Sequence, residues 1–180
     1  MRYFGFLKKR FKKMKIDLIK NGTVIDHQEV GTGIENAKIL GAKEYVRSSD
    51  NHSTVSIAMN VESKRIPGGR KDITKIENRE LEPKETNKIY LNSPHSTINI
   101  IRDYKVVEKR KTKLKKGEIL TNITKCTNPT CICNPQTKKD GTIIREPVPY
   151  KTVVTDEKIP KIKCFYCDRD IDDIYENLIF

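Results

Sequence analysis

Four cysteines in the last third of the chain stand as Cys126-x4-Cys131 and, after 32 intervening residues, Cys164-x2-Cys167. Thiolates paired at this spacing are suited to two knuckle turns, each delivering two sulfurs to one tetrahedral ion. Pro129 favours a tight turn in the first knuckle. Four thiolates around a divalent zinc leave a charge near −2, and Lys125, Lys163 and Arg169 are placed in sequence to offset it. Every coordination position is filled by cysteine, so the expected zinc, one per chain, is structural and has no open position for a substrate. The competing reading is a group of buried thiols without a metal. Cys133, two residues beyond Cys131, is expected to be a non-ligand. All five cysteines follow residue 125, and nothing directs the chain to an oxidising compartment, so metal binding is preferred to a disulfide framework.

A second group of polar residues lies earlier in the chain. Asp26 and His27 stand side by side at the end of an apolar run, and Lys71, Lys75, Asn99 and Lys109 fall at strand ends or at alternating positions. Taken singly, each is explained by a solvated strand face. Together, three lysines, a histidine, a carboxylate and an amide can bind a phosphate chain and a sugar. The chain has no GxxxxGK[ST] loop, no GxGxxG turn and no nucleophile set beside a base. The set therefore argues for binding rather than catalysis.

Elements that would position these groups can be read from periodicity. Alternation and β-branching place a strand at Lys15–Ile19, continuing through Thr23–Ile25. "GIENAKILGA", from Gly33, has helical spacing at Ile34, Ala37, Ile39 and Leu40, with Gly41 as a stop. "STVSIAMNVES" and "KDITKIEN" read as strands, and "EPKETNKIYLN" as a helix of two to three turns beginning near Pro83. "STINII" and "YKVVEK" close the series as strands, with Arg102–Asp103 between them. The order β-α-β-β-α-β with an extra strand is that of a ferredoxin-like α/β sandwich. Between the cysteine pairs, "REPVPYKTVVTDEKIPKIKC" has short β-branched runs broken by proline and charge, the pattern of a small antiparallel sheet carrying the metal. The expected fold is thus α+β, with residues 15–113 as one unit, 114–180 as a small zinc domain, and 1–14 as a basic extension.

A length of 180 residues allows one ordinary domain or two small ones, and 36% hydrophobic content supports a core. The formal charge is +12, but residues 1–20 hold eight Lys or Arg against Asp17 alone. The leader is a candidate contact for membrane or nucleic acid. The plainer expectation is a disordered tail, or an upstream start with Met14 as the working initiator. No apolar run approaches the roughly 18 residues of a membrane span. The leader also lacks the apolar centre and cleavage site of a secretory signal, so a cytoplasmic location is expected.

The segments "NGTVIDH", "GRKDITKIENRELEP", "STINIIRDYKVVEK", "CTNPTC" and "CFYC", in this order over most of residues 15–170, closely resemble the regulatory chain of aspartate carbamoyltransferase. The resemblance implies a non-catalytic subunit of pyrimidine biosynthesis. Such a subunit self-associates as regulatory dimers, binds nucleoside triphosphate effectors of the CTP and ATP type, and docks on separate catalytic chains through its zinc domain. Carried over by position, Asp26 and Lys75 would meet the ribose, and His27 and Lys109 the phosphates. Backbone groups near Ile19 and Tyr104 would read the base. Ile16, Lys71, Ile73, Asn99, Ile101 and Val106 fall at matching pocket positions, and Lys13 aligns within the leader. Departures from the family pattern are the long leader, the polar "VRSSDNHST", Cys133 in place of a hydroxyl or similar polar residue, and the insertion "PQTKKDGTIIREP".

Two other classes compete. A zinc-ribbon nucleic-acid binder is suggested by pI ≈ 9.5 and the run "KVVEKRKTKLKKG", but aromatic residues do not interleave with that run as a stacking platform requires. An enzyme using Asp26 and His27 as an acid/base pair would lack a companion nucleophile or an open metal site. Neither nucleic acid nor membrane is expected as a partner.

Overall fold

The computed structural model describes residues 18–41, 54–65, 69–111, 113–157 and 159–180. The expected strand at Lys15–Ile19 falls largely outside them, as do Lys13, Ile16 and the basic extension. The first described strand, β1, runs over Gly22–Gln28 and carries Asp26 and His27 within it. It is followed by helix α1 (Thr32–Ile39), β2 (Val55–Glu62), β3 (Arg70–Glu77), helix α2 (Pro83–Asn92), β4 (Thr97–Arg102) and β5 (Lys105–Lys111). The five strands form one sheet in the order β2-β3-β1-β4-β5, with every neighbouring pair antiparallel.

Alternation divides this sheet into two faces. Ile25, Thr74, Ile76, Ile98 and Ile100 are buried together with Ile39 of α1, Leu40 just beyond it, and Ile89, Tyr90 and Leu91 of α2. The intervening positions Val24, Asp26, Lys75, Asn99 and Ile101 belong to the other face. Helix α2 begins where the proline suggested. Pro83 occupies its first turn, and Glu82 and Glu85 form a reciprocal capping box, with the Glu82 N–H donating to Glu85 Oε2 at 2.9 Å. Helix α1 has no side-chain cap of its own. Its first amides are instead met from a neighbouring strand, since Gly31 N and Gly33 N both donate to Asp72 Oδ2, at 2.8 and 3.1 Å. Asn60 N donates to the other oxygen of this fully buried carboxylate.

The remainder of the chain is built around β6 (Ile119–Thr121), β9 (Lys151–Asp156) and β10 (Lys161–Cys164), a three-stranded antiparallel sheet in the order β10-β9-β6. A two-stranded hairpin, β7 (Gln136–Thr137) with β8 (Ile143–Arg145), lies within the inserted segment. The buried cluster that contains Ile25 and Ile98 also takes in Leu114, Leu120, Ile123, Val154, Ile162, Ile171 and Leu178. The Tyr90 hydroxyl adds a polar link, donating to Glu157 O at 2.7 Å. The architecture is therefore α+β with antiparallel sheets. Among the described residues, no helix is long and apolar enough to cross a membrane.

Candidate functional site

Register places one row of side chains straight across the open face of the large sheet. Lys75 pairs with Val24, Val24 with Asn99, and Asn99 with Lys109. Directly opposed residues on neighbouring strands have side chains about 5 Å apart, so the row forms a continuous floor, polar except at Val24. A cavity of about 290 Å³ opens over it, lined by Leu18, Ile19, Val24, Asp26, Lys75, Asn99, Ile101, Tyr104, Val106 and Lys109. Eight of these are residues singled out from the sequence. Leu18 and Val24 were missed, although Val24 stands two positions before Asp26 and so shares its face. The apolar wall is held by the β4–β5 turn, where Asp103 and Tyr104 both adopt positive φ, 48° and 62°. Tyr104 N donates to Lys20 O at 3.0 Å and Asp103 N to Asn21 Oδ1 at 3.1 Å, fastening residues 18–21 against the turn.

His27, Lys71 and Ile73 do not line this cavity. The pairing of β1 with β3 shifts between Ile25 and Gln28, and His27 lies in this bulge at φ 59°. The bulge sets His27 beside Asp26 instead of on the opposite face: His27 N donates to Asp26 Oδ1 at 2.7 Å, and Nδ1 lies 3.3 Å from Oδ2. Lys71 Nζ donates to Asp26 Oδ1 at 2.6 Å. Burial lowers the His27 pKa from its ordinary value; Asp26 opposes this, while Lys71, Arg65 and Lys109 reinforce it. The charged imidazolium is thus disfavoured among these cations. Ile73, half-buried on β3, pairs with Ala58 on the far side from β1.

The second site is the cysteine group. One ligand atom from each of Cys126, Cys131, Cys164 and Cys167 lies within 4.8 Å of the others, close enough to hold a metal ion. A tetrahedron with metal–sulfur bonds of about 2.3 Å has edges of about 3.8 Å. Cys126 Sγ is 3.6 Å from Cys167 Sγ, and Cys131 Sγ is 3.7 Å from Cys164 Sγ. These two edges match that tetrahedron, so the donor set is compatible with zinc. The first knuckle is shaped by Asn128 N donating to Cys126 Sγ at 3.4 Å and by Asn134 Nδ2 donating to the Cys126 and Asn128 carbonyls. Tyr150 OH fixes Asn134 from behind at 3.0 Å. In the second knuckle, Asp168 adopts φ 54° and its N–H closes on Cys164 O, while Lys163 pairs with Asp168 at 2.6 Å.

Burial raises the Cys126, Cys133 and Cys164 thiols, Cys133 to about 12. Burial acts on Cys131 in the same direction, but hydrogen bonds from Cys133 and the other thiols outweigh it and bring Cys131 to about 7. Cys133 itself is fully buried, a thiol donating to Cys131 Sγ at 3.4 Å.

Residues 14–113 match the family model described as aspartate carbamoyltransferase regulatory chain, allosteric domain. Similarity to individual proteins covers more of the chain. The aspartate carbamoyltransferase regulatory chain of Pyrococcus abyssi is 41% identical over 163 residues, covering 89% of this chain and 94% of its own length. This chain belongs to that family. The regulatory chains of Methanothrix thermoacetophila and Methanothermobacter thermautotrophicus are 39% and 40% identical, over 89% and 92% of this chain and 92% and 94% of their own. As a member of a regulatory family, the chain is not itself an enzyme, which removes Asp26 and His27 from consideration as an acid/base pair.

Proposed function

We propose that this chain is the effector-binding subunit of an aspartate carbamoyltransferase assembly in pyrimidine biosynthesis, taking a nucleotide of the CTP or ATP type in the cavity on the open sheet face. The observation that carries the proposal is the cross-strand row Lys75–Val24–Asn99–Lys109 beneath an apolar wall. Its apolar end, Ile19, Ile101 and Val106, suits a base. Tyr104 N is already committed to Lys20 O, so base reading at this turn falls to carbonyl oxygens. Asp26 and Lys75 are suited to a ribose, and Lys109 with His27 to the phosphates.

Residues 15–113 would form a ferredoxin-like nucleotide-binding unit, a reading supported by the strand order. Residues 114–180 would form the zinc domain that docks on the catalytic chains, with regulatory chains paired as dimers in the cytoplasm. One zinc held by Cys126, Cys131, Cys164 and Cys167 would supply structural cross-linking. In a unit with so small a core, that contributes on the order of 10 kcal/mol to folding.

Calorimetric titration of the full chain with nucleoside and nucleoside triphosphate tests the phosphate assignment. Lys109→Ala should weaken the triphosphate by roughly tenfold, consistent with loss of one charge-assisted contact, and leave the nucleoside little changed. Equal losses for both ligands would remove Lys109 from the phosphate role.

A further inference from the structure

A larger cleft, of about 670 Å³, lies where the two halves of the chain meet. Arg65, Tyr90, His95, Ser96, Lys111, Lys113, Lys115 and Glu157 are among its lining residues. Four permanent cations thus face one carboxylate. Among the described residues, none of the four cationic side chains has an acidic partner within ion-pair distance. Ser96 adds a hydroxyl that is 3% exposed and finds no hydrogen-bond partner among the described residues.

The cleft is next to the cavity yet separate from it. Thr97 and Lys111 line it and pair with each other, two residues along β4 and β5 from the Asn99–Lys109 pair, a shift of about 7 Å. Lys113 and Lys115 belong to the connector between β5 and β6, and Glu157 to the turn before β10. A volume of this size falls within the range of sites for small molecules.

We propose that this cleft is a second anion site, taking a compact polyphosphate whose charge bridges Lys111, Lys113, Lys115 and Arg65. Like charges gathered on a surface repel one another, and a multivalent anion relieves the repulsion at all four positions at once. Bound there, it ties the connector to the first half of the chain. The site does not depend on what occupies the smaller cavity.

The test is calorimetric titration of the full chain with inorganic pyrophosphate, a probe without base or sugar. Three charge-matched variants are compared: Lys111→Gln/Lys115→Gln in the cleft, Lys75→Gln/Lys109→Gln in the cavity, and Lys116→Gln/Lys138→Gln outside both. The cleft pair should lose about tenfold or more in affinity, and the other two pairs should stay within about twofold of the parent. Loss confined to the cavity pair, or similar losses in all three, would overturn the proposal. A competition arm identifies the source of the anion. Displacement of pyrophosphate by a nucleoside triphosphate, weakened by the cleft pair, assigns the site to a nucleotide's phosphate tail. Simultaneous binding of both assigns it to a free polyphosphate. Either outcome upholds the cleft site.

Discussion

Asp26 has two neighbours competing for one carboxylate, with Lys71 at 2.6 Å and the His27 ring at 3.3 Å. Asp26 favours the imidazolium, but burial, aided by Lys71, Arg65 and Lys109, keeps the imidazole below its ordinary pKa. The sign for a ligand follows from linkage. An anion beside His27 favours the imidazolium, so triphosphate affinity should rise as pH falls through and below the ordinary histidine range. Comparing parent and His27→Gln across that range separates the histidine from the phosphate's own titration; an identical pH profile in both would remove His27 from the site. Stability carries the opposite sign, because a depressed pKa contributes stability above the unfolded value that is lost at lower pH. At the cysteines, elemental analysis should find one zinc per chain. Cys131→Ser should lose most of it and Cys133→Ser should keep it. Metal lost from the Cys133 variant alone would exchange the two assignments.

At the scale of elements, the site depends on where strands start, slip and turn. Gly22 opens β1 at φ 135°, and a Cβ there would meet Ile76 O at 2.1 Å. Gly22→Ala should therefore cost about 2–4 kcal/mol, seen as a lower midpoint in thermal unfolding. An unchanged midpoint would mean that the β1–β3 approach is softer than described. The periodic elements were legible in the sequence. "KDITKIEN" became β3 and Pro83 marked α2 because apolar alternation and capping chemistry are local signals. The bulge at His27 was not legible, since nothing in "IDHQ" announces a positive φ. Without it, simple alternation would have put Asp26 and His27 on opposite faces. The Asp72 cap on α1 was equally hidden, because its donors come from residues about forty positions away in sequence. In the candidate cavity, polar residues at alternating positions gave the floor, whereas Leu18 entered only through the turn hydrogen bonds that hold residues 18–21.

Across the whole molecule, the proposed nucleotide cavity and the cysteine group lie in different halves. The buried cluster from Ile25 to Leu178 and the Tyr90–Glu157 hydrogen bond provide a physical connection between them. A ligand shifts an assembly only by its differential affinity for two states, and coupling of this kind is typically about 1–3 kcal/mol, or roughly 5- to 150-fold. Thermodynamic reciprocity then requires that occupation of the catalytic chains change nucleotide affinity on this chain by the same factor. The most direct measurement is titration of the chain, reconstituted with its catalytic chains, by nucleoside triphosphate with and without a bisubstrate analogue. A regulatory subunit coupled as proposed gives two nucleotide affinities that differ by about fivefold or more. Identical affinities in the two titrations would leave a bound but uncoupled subunit and contradict the proposed function.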